Sequence, residues 1–209
     1  MADYKALKIR IDELAERVWD EAAIQARVRK MIEEGIPRKK LNPEEMLVNK
    51  EQILDRIQRR AEEYNYIFKN CAQGTALALM EEFGQGNMEI VKGLAAFPGI
   101  GGTGKICGGV TGSLVNIGLF FNSDNLLDKS GGKNTMTAAQ KFMALFEERI
   151  GYHDCADIQE KVVLGRSLNP GESPAAMQAF IKEKGFEKCG LAPGIGVRIA
   201  AELMIDSIG

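Results

Sequence analysis

The sequence lacks the features of a nucleic-acid-binding, secreted or membrane-spanning protein. Its 27 basic and 29 acidic side chains nearly cancel, so no electrostatic attraction favours nucleic acid or an anionic membrane as a partner. The first ten residues mix charges without the apolar stretch of a signal peptide, and no apolar run reaches the length of a membrane span. We therefore expect a cytoplasmic protein that neither binds nucleic acid nor inserts into a membrane.

The four cysteines lack every short metal-binding or redox spacing. Cys71, Cys107, Cys155 and Cys189 are far apart in sequence. Without a C-x-x-C pair the chain has neither a zinc-ribbon nor a thioredoxin motif, and without C-x-x-C-H it has no covalent haem site. Because a reducing cytoplasm disfavours structural disulfides, we expect these thiols to be ligands or redox groups.

The first 69 residues differ in composition from the rest of the chain. They hold 15 basic and 14 acidic residues but one glycine and no cysteine, whereas the remainder contains 22 glycines and all four cysteines. We divide the chain into a charged helical arm, residues 1–63, and a four-cysteine redox domain, residues 64–209. The arm is expected either to pack on the rest of the chain or to serve dimerisation or partner docking.

Apolar side chains in the arm recur at helical spacing. The first stripe ends before Gly35 and Pro37, which stop a helix. A second helix begins at the Asn42 cap, with Pro43 in its first turn. The pattern predicts a long helical hairpin with two apolar stripes, one of Leu7, Ile11, Leu14, Val18 and Ala22 and one of Leu47, Leu54, Ile57, Ala61, Tyr64 and Phe68.

From residue 70 onward, short helices alternate with glycine. No segment shows the alternation of a strand, so the predicted fold is an all-α multi-helix bundle. Its centre is a glycine-rich loop, residues 84–132, which contains 13 of the 23 glycines. We expect these glycines to serve close backbone approach or positive φ angles. Capping and stop residues predict helices over 71–83, 87–96, 135–150, 155–164, 174–184 and 193–208.

One stretch of this loop imitates nucleotide-binding motifs. Gly99–Gly104 matches G-x-G-x-x-G, but a predicted helix precedes it where the dinucleotide fingerprint needs a strand. Extended to Lys105, the stretch also matches all but the end of a phosphate-binding loop, where Ile106 replaces the hydroxyl residue that holds magnesium. We therefore do not expect a nucleotide site.

The cysteines share a local position rather than a spacing. Each stands at or just before the start of a predicted helix. The unpaired amides and positive dipole end of such a site lower a thiol pKa and stabilise anionic sulfur. Four thiols in this setting suit a thiolate–metal centre, although a free cysteine is also often just a small buried apolar residue.

The context of the cysteines resembles a known family. The chain is similar over about residues 64–208 to the redox-active proteins named for their C-GCAxxG-C-C cysteine pattern, and to the cluster-binding part of split-Soret cytochromes. It lacks the haem motif of those cytochromes, and near the second cysteine it reads Cys-Gly-Gly-Val where the family name suggests alanine. The matching segments are Asn70-Cys71-Ala72-Gln73, Cys107–Ser113, Phe146–Gly151 leading to Cys155, and Cys189 before the last helix.

The resemblance implies an electron-transfer protein that binds an iron–sulfur cluster, [2Fe–2S] or [4Fe–4S], through all four cysteines. We expect Gly101, Gly102, Gly104 and Gly108 to lie beside the cluster, where backbone amides can hydrogen-bond to sulfur. Two alternatives stay open: a metal-free thiol–disulfide relay, and a zinc-binding structural or docking protein. The expected partners are a second copy of the chain, in a homodimer, and an unidentified redox protein.

His153 and the methionines are secondary candidates. His153, the only histidine, could be a ligand or proton donor, but a histidine beside a turn is more often solvated or a cap. Met136, Met143 and Met177 are expected to fill the core. No pair of carboxylates stands out, so we name no general base.

Overall fold

The computed structural model describes residues 2–208, which form an all-α fold without a strand, as predicted. A single antiparallel bridge joins Ile106 to Asp154. Leu94–Ala96 forms a 3₁₀ turn and Ile158–Val163 a π-helical turn. The α-helices are Tyr4–Glu16 (α1), Glu21–Glu34 (α2), Pro43–Val48 (α3), Lys50–Phe68 (α4), Cys71–Phe83 (α5), Met88–Gly93 (α6), Gly99–Gly102 (α7), Gly108–Phe121 (α8), Lys129–Ile150 (α9), Cys155–Asp157 (α10), Pro174–Lys182 (α11), Gly185–Lys188 (α12) and Leu191–Ser207 (α13).

Four helices form the centre of the molecule. α4, α5, α8 and α13 pack side by side, and α9 covers α8 and α13. Small residues bring these helices close together: a Cβ on Gly196 of α13 would lie 2.6 Å from the carbonyl oxygen of Gly109 on α8. The starts of α8 and α13, which follow Cys107 and Cys189, therefore lie against each other.

The predicted N-terminal hairpin is instead four helices. Arg17 is extended at the end of α1, and the Asp20 carboxylate accepts a hydrogen bond from the Ala23 amide to begin α2. This break turns Val18 outward, where its side chain is 94% exposed, and Ala22 is exposed as well. A second break at Asn49 separates α3 from α4 and leaves Leu47 exposed. The other members of the two predicted stripes are buried or half-buried.

The helices of the arm pack on the central helices. α2 contacts α4, whereas α1 contacts α12, α13 and the π-helical turn. Leu54, Ile57 and Ala61 of α4 are fully buried in the common core. Glu62, also on α4, is fully buried and accepts hydrogen bonds from Arg10 at 2.6 and 2.8 Å and from Arg17 at 2.5 Å. An ionic contact thus joins α1 to the centre.

The glycine-rich central region is only partly a loop. Its second part forms α8, despite the poor helix propensity of glycine, because Gly108 and Gly112 allow α8 to approach α5. A Cβ on Gly112 would lie 2.6 Å from the Ala72 carbonyl oxygen. The helix predicted to start at Thr135 begins at Lys129, where the Asp128 carboxylate accepts a hydrogen bond from the Ser130 amide.

Candidate metal centre

All four cysteines lie where the sequence places them relative to helices. Cys71 is the first residue of α5, and Cys107 directly precedes α8. Cys155 is the first residue of α10, and Cys189 lies two residues before α13. The Asn70 side chain fixes the first of these starts by accepting a hydrogen bond from the Gln73 amide at 3.0 Å. All four are free thiols.

Cys71 and Cys107 form a hydrogen-bonded pair. The hydrogen bond from the Cys107 thiol, with those from the Gly108 and Ala72 amides, holds the pKa of Cys71 below its ordinary value. The same bond, together with burial and the negative charge of Cys71, raises the pKa of Cys107 well above the ordinary value. The two thiols are therefore coupled, and loss of a proton is favoured at Cys71 over Cys107.

Glycine makes this pairing possible. A Cβ on Gly108 would lie 2.3 Å from the Cys71 sulfur and 2.5 Å from the Ala72 nitrogen. No side chain fits there, and the bare backbone leaves the Gly108 amide free to point at sulfur.

A short two-stranded contact holds the second and third cysteines together. The Cys107 amide donates to the His153 carbonyl at 2.9 Å, and the Cys155 amide donates to the Lys105 carbonyl at 2.8 Å. The next amide, that of Ala156, donates to the Gly104 carbonyl at 2.9 Å. Residues 104–107 and 153–156 thus run side by side, although 48 residues of chain separate the two cysteines.

Cys155 and Cys189 are held as neutral thiols. Burial, and then the negative charge of Cys71, raises the pKa of Cys155 to about 12. Burial also raises the pKa of Cys189 well above its ordinary value, and the charges of Cys155 and Cys71 add to that shift.

Three of the cysteines open onto one cavity of about 130 Å³. Its size is similar to that of an engineered core cavity that holds one benzene molecule. Cys71, Cys155 and Cys189 form one part of its wall, and the walls are mostly apolar. The other lining residues are Asn65, Lys69, Pro98, Gly99, Gly102, Gly104, Ala156, Gln159, Ser167, Leu168, Asn169, Pro170, Phe180 and Phe186.

The thiols do not converge on a single point. Across the described residues, no three histidine, cysteine, aspartate or glutamate side chains stand close enough together to hold one metal ion. The arrangement is one close pair, Cys71 and Cys107, with two further thiols around a shared cavity.

The sequence profile described as "Putative redox-active protein (C_GCAxxG_C_C)" matches residues 69–203. This chain belongs to that family. The match contains all four cysteines and leaves α1–α4 outside it. No curated protein and no solved structure matches the chain. Within residues 2–208, no helix combines the length and the apolar character needed to cross a bilayer.

The glycines expected at the site of this C_GCAxxG_C_C protein occupy different places. Gly102 and Gly104 line the cavity, and Gly108 contacts the Cys71 sulfur. Gly101 is exposed, and a Cβ there would meet nothing within 4 Å. Positive φ angles at Gly101, Gly102 and Gly104 shape the turn. The helical segment before it, Met88–Gly93, differs from the strand that a dinucleotide-binding loop requires.

The His153 side chain points away from the thiols. Its Nε2 lies 2.9 Å from the Met143 carbonyl oxygen, and its ring stacks on Phe146. It is therefore bound to α9, while its backbone carbonyl supports Cys107. Of the methionines expected in the core, Met143 packs against it, as predicted. The prediction is wrong for Met136, whose side chain is 59% exposed.

Two polar residues of the site were missed by sequence reasoning. Gln159 donates from Nε2 to the Cys155 sulfur at 3.5 Å, and its spacing of four from Cys155 is the signal that could have identified it. Lys69 lies at the cavity wall with its ammonium 3.8 Å from the Tyr66 ring centroid. Lys69 has a left-handed φ of 52°, a conformation where sequence statistics favour glycine or asparagine.

Proposed function

We propose that this protein binds an iron–sulfur cluster through Cys71, Cys107, Cys155 and Cys189 and transfers single electrons to a partner protein. The supporting observation is that three free thiols, those of Cys71, Cys155 and Cys189, line one small cavity, and that the fourth, on Cys107, pairs with Cys71. Membership of a redox-active family agrees with it. A cytoplasmic location fits the free thiols, because that compartment keeps cysteines reduced.

In this proposal the cluster takes its protein ligands as two pairs. In a [2Fe–2S] cluster each iron takes two protein ligands. The Cys71–Cys107 pair is suited to supply one such set, and Cys155 and Cys189 the other.

A bound cluster would supply a centre that gains and loses one electron. The protein's own residues would tune that centre and shield it. Amides of Gly108 and Ala72 already donate to the Cys71 sulfur, and such bonds raise a reduction potential by stabilising negative charge. The ammonium of Lys69 acts in the same direction, and the apolar walls exclude water.

The first test is anaerobic reconstitution with iron and sulfide. We expect visible absorbance, stoichiometric acid-labile sulfide and a reversible one-electron signal in electron paramagnetic resonance. Replacing any one of the four cysteines by serine should sharply reduce the retained iron, because each is proposed as a direct ligand.

Met143→Leu is the matched control, since it changes a half-buried side chain near the core without touching a thiol. Its iron content should equal that of the unmodified protein. Full iron occupancy in two or more of the serine variants would disprove the four-ligand proposal.

A thiol–disulfide relay is the second candidate, because one observation favours it specifically. The hydrogen bond from Cys107 stabilises a nucleophilic thiolate on Cys71. That thiolate could attack a partner's disulfide, and Cys107 could then displace the partner as a dithiol and leave a Cys71–Cys107 disulfide. Loss of disulfide reductase activity in Cys71→Ser and Cys107→Ser, but not in Cys155→Ser, in metal-free protein would support the relay.

We also propose that the protein is a homodimer and that the N-terminal helices contribute to its interface. Exposed large apolar side chains support this choice, since an accessible apolar surface is typical of an association site. Those in the first 48 residues are Tyr4, Ile9, Val18, Ile32, Leu47 and Val48.

A further inference from the structure

The cavity is covered on one side by a segment with little structure of its own. Residues 165–171 connect the π-helical turn to the Ser173 cap of α11, and we call them the lid. Ser167, Leu168, Asn169 and Pro170 of the lid line the cavity. Most lid residues are exposed on their outer side, with only Leu168 and Pro170 half-buried.

Few bonds fasten the lid. The Asn169 side chain donates from Nδ2 to the Gly102 carbonyl at 2.8 Å, across the cavity mouth. The Leu168 amide donates to Oε1 of Gln159 at 2.7 Å, and Arg166 pairs with Glu183. Gly165, at one end, has a φ of 76° and no atom near its Cβ position. A segment with so few bonds can open locally without unfolding the domain.

Gln159 connects this lid to a cysteine. The side chain is buried, and its two ends have different partners: Oε1 accepts from the Leu168 amide, while Nε2 donates to the Cys155 sulfur at 3.5 Å. A backbone amide can only donate, so Leu168 fixes which end of the side chain is oxygen and which faces the sulfur. The π-helical turn, a feature often found at functional sites, carries Gln159 into this position.

We propose that residues 165–171 are a lid over the cysteine cavity and that Gln159 is the positioning residue that holds it closed by binding the Cys155 sulfur and the Leu168 amide together. An anionic sulfur accepts a stronger hydrogen bond than a neutral thiol. Ligation of Cys155 therefore fixes the Gln159 side chain and tightens the lid, whereas a free thiol leaves it looser. The effect of Cys155 ligation rests on the proposed cluster, whereas the lid itself and the role of Gln159 in holding it closed do not.

The first experiment uses the metal-free protein. Gln159→Leu removes both bonds at nearly constant volume, and hydrogen–deuterium exchange of the peptide spanning the lid should accelerate about tenfold, because the one lost bond that reaches the lid, from the Leu168 amide, is worth up to a factor of about ten. Iodoacetamide should also label Cys155 faster, as shown by mass spectrometry of the digest. Gln178→Leu, an exposed glutamine on the neighbouring α11, is the matched control and should change neither rate.

Two further variants keep the result interpretable. Asn169→Ala loosens the lid from the opposite side and should accelerate both rates without altering any neighbour of Cys155. Gln159→Glu keeps the acceptor for Leu168 but, when ionised, has no proton to donate to sulfur, so its lid exchange should lie between those of the unmodified protein and Gln159→Leu. If Gln159→Leu and Asn169→Ala both fold and exchange like the unmodified protein, the lid proposal is wrong.

The second experiment compares protein before and after reconstitution with iron and sulfide. Loading should slow exchange of the lid in the unmodified protein but not in Gln159→Glu, which lacks the bond to sulfur. Equal slowing in both would contradict the role given to Gln159. If the protein takes up no iron, the proposed function fails while the metal-free experiment still decides whether the lid exists.

Discussion

The four thiols differ in charge state because their donors differ. Cys71 receives a hydrogen bond from Cys107 and from backbone amides, so its anion is stabilised. Cys155 and Cys189 receive fewer stabilising hydrogen bonds, so burial is the main influence on their pKa values and raises both. Metal ligands must lose their protons on binding. Cys71 is therefore expected to bind iron first, with the buried thiols following as metal charge replaces their protons.

The raised pKa of Cys155 predicts a loss of stability at alkaline pH in the metal-free protein. Its folded pKa of about 12 exceeds the ordinary value of 9.0, so the unfolded chain releases this proton first as pH rises. The contribution of Cys155 to the free energy of unfolding is fully present below pH 9 and is lost as the pH rises towards 12. The loss amounts to at most about 4 kcal/mol. Urea unfolding at pH 8 to 11 measures it.

Cys155→Ser serves as the comparison, because serine does not titrate in this range. Other buried groups, including Tyr64 with its raised pKa, contribute to the alkaline loss in both proteins. The difference between the two pH profiles isolates Cys155. Parallel profiles would show that the Cys155 thiol is not desolvated.

At the scale of elements, helix starts were predictable and contacts between helices were not. The Asn70 and Ser173 side chains each accept a hydrogen bond from the amide three residues later, so the local sequence is enough to determine where these helices start. The meeting of Cys71 with Cys107 depends instead on α5 and α8 lying against each other. Glycines that argue against a helix by propensity favour it here by close packing, which is why the helix after Cys107 had no predicted bounds and lay in a region predicted as a glycine-rich loop.

Gly108 and Gly118, both on α8, test this packing. Alanine at Gly108 would place its Cβ 2.3 Å from the Cys71 sulfur, whereas a Cβ at Gly118 would meet nothing within 4 Å. We expect Gly108→Ala to destabilise the protein by about 1–3 kcal/mol through overpacking. Gly118→Ala should be neutral or stabilise it by about 0.5–1 kcal/mol through its higher helix propensity. Chemical denaturation of both variants measures the contrast, and similar effects would refute it.

At the scale of the whole molecule, buried ion pairs join the end of α1 to α4. Glu62 is fully buried beneath Arg10 and Arg17, whereas Glu13 pairs with the same two arginines at the surface, where its side chain is 52% exposed. Sequence periodicity predicted helices at α1 and α4, but it could not show that Arg10 and Arg17 pair with Glu62, which is 52 and 45 positions away. Only the folded topology brings them together.

These two glutamates allow a matched comparison. Glu62→Gln leaves the arginines facing a buried neutral group and should lower the free energy of unfolding by about 3–5 kcal/mol. Glu13→Gln removes a solvated partner of the same arginines and should cost less than about 1 kcal/mol. Thermal or urea unfolding of the two variants measures the difference. Equal losses of unfolding free energy would mean that the burial of Glu62 does not affect the stability of its ion pairs.

The division of the chain at residues 63 and 64 stays a prediction, and two shortened chains test it. A chain beginning at Asn42 lacks α1 and α2 but keeps the buried face of α4 that covers α5 and α13. It should remain helical. We expect α12 and the π-helical turn to be less stable in it, because both contact α1, which it lacks. A chain beginning at Tyr64 also loses Leu54, Ile57 and Ala61, and we expect it to aggregate because large apolar surfaces of α5 and α13 become exposed.

Circular dichroism, sedimentation equilibrium and iron analysis of the full chain and both shortened chains decide between the roles of the arm. If the N-terminal helices form the dimer interface, the chain from Asn42 should sediment as a monomer or a weaker dimer while still binding iron. Unchanged dimerisation would remove α1 and α2 from the interface. A folded, iron-binding chain from Tyr64 would establish the division at 63 and 64, because α4 would then be dispensable to the core in which it is buried.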